Sequence, residues 1–260
     1  MSPEPFGDSE RSKAARRRSW PRWRAAVVVA CVGAAVAPAA LAGAATRVHV
    51  IPPTPDDPRF GSEFGEVSVS GDKKANDIEV GFRPSREAFL ITDSKAKMRT
   101  PAGGVAPPCD RLSRHKARCN VTPADHVVTV FGREGSNRIR MLRSVRSSAS
   151  ITGGSDDDRL VGGRLADGIG GYPGNDVASG RRGGDSLHGD AGRDRLAGGP
   201  GGDLLSGGDK RDRLAAGAGD DELLGGEGRN AIKCGPGRDK VVVTSGQDRI
   251  AKDCERVVHV

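Results

Sequence analysis

Aspartate residues recur at nine-residue intervals in the second half of the chain. From Gly153 the sequence divides without a gap into eleven nonapeptides, whose sixth position is Asp in ten and Asn230 in the other. Carboxylates held at a regular spacing repel one another unless a cation lies between them. Ca²⁺ takes about six to eight oxygen ligands in flexible geometry and suits such a set better than Mg²⁺. We therefore predict Ca²⁺ as the cofactor. The predicted metal ligands are Asp158, Asp167, Asp176, Asp185, Asp194, Asp203, Asp212, Asp221, Asp239 and Asp248.

Glycines and single apolar residues indicate the elements that position these carboxylates. Glycine occupies the first position in eight units and the fourth in eight, and it makes tight turns because it reaches positive φ without steric cost. The eighth position is Leu, Ile or Val in ten units and Ala178 in the other. A three-residue strand with one inward side chain buries little alone, but stacked units bury a continuous aliphatic ladder.

The units resemble the G-G-x-G-x-D-x-U-x repeat of the RTX, or haemolysin-type, calcium-binding family. The resemblance implies an all-β fold, a right-handed parallel β-roll (a solenoid) over residues 153–251, in which each nonapeptide is half a turn. Units n and n+2 would stack on the same edge and share a calcium. One edge would hold Asp158, Asp176, Asp194, Asp212 and Asp248, and the other would hold Asp167, Asp185, Asp203, Asp221 and Asp239. Asp156, Leu165 and Lys210 depart from the pattern, because they stand where glycine is expected to take positive φ.

Composition and charge exclude several classes of protein. The chain has 260 residues with 38 glycines and 3% aromatics, too few aromatics for a large doubly wound enzyme. The formal net charge is +7. Residues 1–24 carry seven bases and three acids, whereas 153–251 carry 17 acids and 14 bases, so the basic excess lies outside the repeats. We predict no nucleic-acid partner.

The N-terminus resembles a secretory leader. Residues 11–24 are rich in Arg and Lys, residues 25–37 are apolar, and small residues follow. This pattern predicts a signal peptide over residues 1–45, with an uncleaved N-terminal anchor or a lipoprotein at Cys31 as alternatives. We predict an extracellular, secreted protein. The alternative is attachment to the cell surface through the N-terminal apolar segment. Contact with a membrane is expected only if the leader is not cleaved.

The four cysteines outside the leader are consistent with an oxidising compartment. They allow three disulfide pairings, and proximity along the chain favours Cys109–Cys119 and Cys234–Cys254. A zinc site is the weaker interpretation, because the sequence has no C-x-x-C pair.

Residues 46–152 are predicted as a β-rich N-terminal region. Two stretches echo the repeat, GDKKANDIEV from Gly71 and GREGSNRIR from Gly132, and Asn137 occupies the sixth position of the second. The region is either a degenerate extension of the roll or a separate small β domain. Residues 252–260 are predicted to form a C-terminal cap, because the tail resembles the closing segment of secreted RTX-like proteins.

No catalytic constellation is recognisable, since the sequence lacks H-E-x-x-H, G-x-S-x-G and a phosphate-binding loop, and we predict that the protein is not an enzyme. Two functions are weighed. The first is a secreted protein that binds calcium ions. The alternative is a metal-independent extracellular structural or adhesive scaffold. Exposed positions mix Arg, Ser, Ala and Leu without an evident row, which gives the second little support. A partner in the cell envelope or another protein is left open.

Overall fold

A computed structural model describes residues 46–51, 65–86, 88–99, 109–120, 126–244 and 247–260. This part of the chain is built from β-strands and one 3-10 turn, Pro84–Arg86. The first ten strands are β1 (Thr46–Ile51), β2 (Gly65–Ser70), β3 (Asp77–Arg83), β4 (Ala88–Asp93), β5 (Met98–Arg99), β6 (Cys109–Ser113), β7 (Lys116–Asn120), β8 (His126–Arg133), β9 (Arg138–Met141) and β10 (Ala149–Gly154). The others are β11 (Arg159–Val161), β12 (Gly168–Gly170), β13 (Val177–Ser179), β14 (Ser186–Ala191), β15 (Arg195–Pro200), β16 (Leu204–Asp209), β17 (Arg213–Ala218), β18 (Glu222–Leu224), β19 (Ala231–Lys233), β20 (Lys240–Val243), β21 (Arg249–Ile250) and β22 (Arg256–His259).

The strands form two 11-stranded sheets that face each other across one core. Sheet A has the order β22-β20-β18-β16-β14-β12-β10-β8-β2-β1-β5, and sheet B has the order β21-β19-β17-β15-β13-β11-β9-β3-β4-β7-β6. From β8 onward the chain alternates between the sheets, and each strand pairs in parallel with the strand two places later. This is a parallel β-solenoid, so the predicted β-roll is confirmed.

The core is the aliphatic ladder expected from the eighth position of the repeats. In sheet A, Ile169 pairs with Leu187 and Leu187 with Leu205. In sheet B, Leu196 pairs with Leu214. All five side chains are at most 2% exposed. Parallel strands stack these side chains into one continuous apolar core, which needs no aromatic residue.

Residues preceding the repeats continue the same two sheets. Ile78 in β3 and Ile139 in β9 extend the inner row of sheet B, because Ile78 pairs with Ile139 and Ile139 with Leu160. Beyond β3, the strands β4, β7 and β6 add to sheet B in antiparallel order. The described strands of residues 65–152 thus belong to the same two sheets as the repeats.

Disulfides lie near both ends of the solenoid, with the two pairings that proximity favoured. Cys109 and Cys119 face each other across β6 and β7, with a Cα–Cα distance of 4.0 Å. Cys234 and Cys254 join the last repeats to the C-terminal segment, with a Cα–Cα distance of 5.2 Å. That segment adds β22 to sheet A beside β20.

The predicted leader, residues 1–45 with Cys31, lies outside the described residues. Among the residues that are described, no helix is long and apolar enough to cross a bilayer.

Candidate metal centre

The sixth-position side chains form two hydrogen-bonded rows along the edges of the solenoid. In each row, the backbone N–H of one residue donates to Oδ1 of the residue on the next coil, at 2.7 to 3.0 Å between repeats n and n+2. Row one contains Asn76, Asn137, Asp158, Asp176, Asp194, Asp212, Asn230 and Asp248. Row two contains Asp167, Asp185, Asp203, Asp221 and Asp239. Row two begins with the Ala149 N–H donating to Asp167 and ends with the Asp239 N–H donating to Glu255.

The second oxygen of most of these carboxylates has no hydrogen-bond partner. Eight Asp side chains that are at most 3% exposed each hold an Oδ2 atom that is buried and accepts no hydrogen bond within the described residues. Those eight are Asp158, Asp176, Asp185, Asp194, Asp203, Asp212, Asp221 and Asp239. A buried carboxylate oxygen without a donor is strongly unfavourable unless a proton or a cation compensates it.

The asparagines at the start of row one reveal what surrounds this atom. Asn137 Nδ2 occupies the place of Oδ2 and donates to the carbonyl oxygens of Gly135 at 2.6 Å and Gly153 at 3.3 Å. Asn76 Nδ2 likewise donates to the carbonyl oxygens of Lys74 at 2.7 Å and Gly132 at 3.1 Å. The site is therefore lined by carbonyl oxygens of its own turn and of the next coil. An Asp in the same position adds a further oxygen to a set of acceptors.

The first-position glycine lies directly against this oxygen-lined site. At Gly207, an added Cβ would lie 2.6 Å from Asp212 Oδ2 and 2.6 Å from the carbonyl oxygen of Gly225 on the next coil. Glycine is required here because any side chain would fill the space beside the carboxylate. The carbonyl of the next coil thus approaches the carboxylate closely.

Side chains alone do not complete a metal site. Within the described residues, no three His, Cys, Asp or Glu side chains converge on one point. Two stacked turns supply two carboxylates, so backbone carbonyls must provide the other ligands. Such an all-oxygen set suits a hard cation that accepts carbonyls, as Ca²⁺ does.

The comparison with known families agrees with this chemistry. Residues 150–169, 170–205 and 198–232 match the RTX calcium-binding nonapeptide repeat. Residues 150–232 are therefore RTX repeats. No curated protein matches the chain.

Burial raises the pKa of the RTX carboxyls. Desolvation raises the pKa of Asp176 and of Asp185 to about 7, and that of Asp203 to about 6, although a backbone N–H on each carboxylate opposes the shift. Neighbouring carboxylates of the same row raise the pKa further. The ionised form is therefore disfavoured unless a positive charge stands beside it.

The second RTX unit closes differently from the others. Asp167 Oδ1 accepts the Ala149 N–H at 2.7 Å, and its Oδ2 accepts the Gly163 N–H at 2.5 Å, so both oxygens have donors. Asp156 and Lys210 adopt positive φ at the fourth position, 78° and 71°, despite their side chains, whereas Leu165 does not. The second position differs as well, because Gly163 lacks the positive φ found there in the first unit and in the third to tenth units, and in this turn its N–H reaches the carboxylate.

Several contributors to these rows were not among the residues predicted from the sequence. Asn137 and Glu255 each accept a backbone N–H in them, as the acids do, and Asn76 begins row one by donating its backbone N–H to Asn137. The signal for the asparagines was present, since both stand at the sixth position of the two stretches that echo the repeat. Glu255 lies beyond the last repeat, and no periodicity indicates it.

Proposed function

We propose that this protein is a secreted calcium-ion-binding protein, whose RTX roll binds Ca²⁺ between stacked turns and is stabilised by it. The observation that carries the proposal is the set of eight buried Oδ2 atoms without a hydrogen-bond donor. The Asn turns support it further, since the amide at Asn137 donates to carbonyl oxygens at the place where an Asp turn would need a cation. A bound ion would supply the positive charge that the fold itself does not.

Six pairs of stacked turns are the best candidates, because both carboxylates in each pair hold an unpartnered Oδ2. The six are Asp158/Asp176, Asp176/Asp194, Asp194/Asp212, Asp185/Asp203, Asp203/Asp221 and Asp221/Asp239. In each pair, the two carboxylates would hold the ion together with carbonyl oxygens of the turns. Asp167 and Asp248 remain predicted ligands with less support, since backbone amides occupy both Asp167 oxygens and Asp248 is only half-buried.

Secretion is supported by the predicted leader over residues 1–45 and by the two disulfides, which persist in oxidising compartments. Extracellular calcium sites typically have Kd values of about 10⁻⁴ to 10⁻³ M. Sites built from two carboxylates and backbone carbonyls need not bind more tightly than this to be filled outside the cell.

The test is a titration of the full chain with CaCl₂, and separately with MgCl₂ at the same ionic strength, followed by far-UV circular dichroism and thermal unfolding. We expect a cooperative gain in β signal and in Tm with Ca²⁺ alone. Asp203→Ala removes a ligand of two candidate pairs and is expected to weaken the response. The control is Asp209→Ala, which removes the same charge from an exposed residue at the end of β16.

A β spectrum that is complete in EDTA and unchanged by Ca²⁺ would overturn the proposal. The metal-independent structural scaffold would then become the better description of the protein.

A further inference from the structure

A row of arginines crosses the outer face of sheet B. The seventh residue of each repeat in this sheet points away from the core, and the parallel register aligns these residues from strand to strand. The row reads Arg138, Arg159, Val177, Arg195, Arg213, Ala231 and Arg249, and its five arginines are exposed. We call these five the arginine row. Neighbouring strands lie about 4.8 Å apart, so seven strands extend the row over roughly 29 Å.

The sequence alone did not suggest this row. Consecutive repeats go to opposite sheets, so the outward residues of the two faces are interleaved along the chain. The repeats also contain more acids than bases, so their net charge does not indicate a basic face on one sheet. Four of the eleven arginines of the repeats lie in this row, and the other seven lie in the turns.

Asp77 on β3 is the register neighbour of Arg138, but no acid lies beside the other four arginines within the row. Within the part of the chain that the structure describes, none of the five guanidinium groups forms an ion pair. The acids near the start of the row are otherwise engaged, since Glu79 pairs with Arg140 and the Asp77 carboxylate accepts a hydrogen bond from Ser94. Like charges on adjacent strands are destabilising. The fold therefore bears a cost at these positions that a bound anion would remove.

The outer face of sheet A provides an internal contrast. Its seventh-position residues include Leu204, Glu222 and Lys240, and the last two form an ion pair at 2.5 Å. This face carries no comparable row of like charges. The asymmetry shows that unpaired basic residues are not a general property of the strands of this roll.

The chemistry of the face limits what would bind there. The column beside the arginine row, on the same strands, has Val161, Ser179, Ala197 and Ala215 in its middle, which leave this part of the face flat. Arg140 and Lys233 continue the column on either side. Neither column contains an aromatic ring on which a nucleic-acid base would stack, as bases do in single-strand-binding proteins. Guanidinium groups match the geometry of oxyanions and bind them through paired N–H groups. These features favour a linear polymer that carries anionic groups and no bases.

We propose that the arginine row binds a linear anionic polysaccharide, whose carboxylate or sulfate groups lie along the solenoid axis. This inference rests on the register of sheet B and does not depend on calcium being the ligand of the turns. A rigid roll would hold the arginines at a fixed spacing, so several weak ion pairs would act together on one extended chain.

The experiment measures binding of the full chain, at a fixed CaCl₂ concentration, to labelled polygalacturonate and to immobilised heparin. These probes separate carboxylate from sulfate recognition. Arg195→Gln with Arg213→Gln is expected to lower affinity for at least one polymer about tenfold and to lower the salt concentration needed for elution. The matched control is Arg193→Gln with Arg211→Gln, which removes the same charge from exposed turn residues beside the same strands. We expect this control to change affinity less than twofold.

Equal losses in the two double variants would show attraction by net charge alone and would overturn the proposal. Failure of both polymers to bind, or equally tight binding of a single-stranded oligonucleotide that the two variants weaken alike, would do the same. Far-UV circular dichroism checks the fold of each variant. If the first double variant is unfolded, Arg138→Gln with Arg159→Gln tests the other end of the row with the same expected loss.

Discussion

Asn137 and Asp203 occupy the same position in the turns of two coils, but the hydrogen bonding of their buried side-chain atoms differs. Both side chains are at most 3% exposed, and both Oδ1 atoms accept a backbone N–H from a neighbouring coil. The second side-chain atom differs. In Asn137 it is a nitrogen that donates to the carbonyls of Gly135 and Gly153, whereas in Asp203 it is an oxygen without a donor.

This difference shows which coils of the roll depend on an ion or a proton from solution. The side-chain amide of an Asn turn donates hydrogen bonds to the carbonyl oxygens around it, so these oxygens find their partner within the polypeptide. An Asp turn presents an additional acceptor to the same carbonyls and needs a cation or a proton from solution. We therefore expect metal dependence to be confined to the coils with Asp, while the coils of Asn76 and Asn137 keep their form in EDTA.

The apolar cores of the N-terminal region and of the central RTX coils also differ, in the size of their side chains. Near the N-terminal end, the antiparallel strands add larger side chains, and the rings of Phe82 and Phe89 lie 5.2 Å apart. The central RTX coils contribute mainly one aliphatic side chain per unit, such as Leu196 or Leu214. The N-terminal coils thus combine closed turns with a larger apolar core. We expect them to be the part of the solenoid that unfolds last when calcium is removed.

The largest expected effect is that of pH on the metal-free protein. The folded pKa of Asp176 is about 7 and that of Asp203 about 6, against an ordinary value of 3.8. Between these values the folded protein binds more protons than the unfolded chain, so its free energy of unfolding falls as pH rises from about 4 to about 7. Calcium binds the ionised carboxylates, so saturating Ca²⁺ should oppose this loss.

Urea unfolding in EDTA across this pH range measures the overall effect, and amide hydrogen exchange assigns it to individual coils. Protection should fall with pH in the Asp coils and stay nearly constant around Asn76 and Asn137, which do not titrate. Stability that rises with pH in EDTA would contradict this prediction.

A smaller but local effect is expected from Asn137→Asp, which changes an Asn coil into an Asp coil. The substitution puts a carboxylate oxygen against the carbonyls of Gly135 and Gly153. An uncompensated buried charge costs about 3–5 kcal/mol, so we expect a loss of this size in EDTA at neutral pH. Calcium should restore part of it, because Asp158 lies on the next coil.

The control for this variant is Ser136→Asp, which adds the same charge to an exposed residue of the same turn. Both variants are compared by chemical unfolding in EDTA and in CaCl₂. Equal effects of the two substitutions would mean that the Asn137 amide does not close the turn.

The features that follow the nine-residue repeat are the ones that can be predicted from the sequence. Each nonapeptide contributes one short strand, and the invariant spacing carries Leu187 and Leu205 into register without long-range information. The two disulfides can also be predicted, because each joins cysteines that are close along the chain. The sequence also locates the carboxylates, although it does not show which of their oxygens lack donors.

Features that depend on departures from the repeat are not predictable in this way. The Gly163 N–H reaches Asp167 in a turn where neither Gly163 nor Leu165 takes positive φ, a conformation that the repeat pattern does not specify. The pairing of β1 with β5 joins segments from different parts of the irregular N-terminal region. The arginine row becomes visible only when alternate repeats are assigned to separate sheets.

The smallest and most discriminating effect is expected from Asp203→Asn, which changes an Asp coil into an Asn coil. In EDTA the new amide would donate to carbonyl oxygens where Oδ2 now has no donor, so we expect a gain of about 1–3 kcal/mol. In saturating CaCl₂ the same substitution removes a ligand from two candidate pairs, so stability and calcium stoichiometry should both fall. The control is Asp209→Asn at the exposed end of β16, which should change little in either condition. A loss of equal size with and without calcium would mean that the Asp203 carboxylate supports the turn without a metal, and the difference between the two kinds of coil would then lie only in their packing.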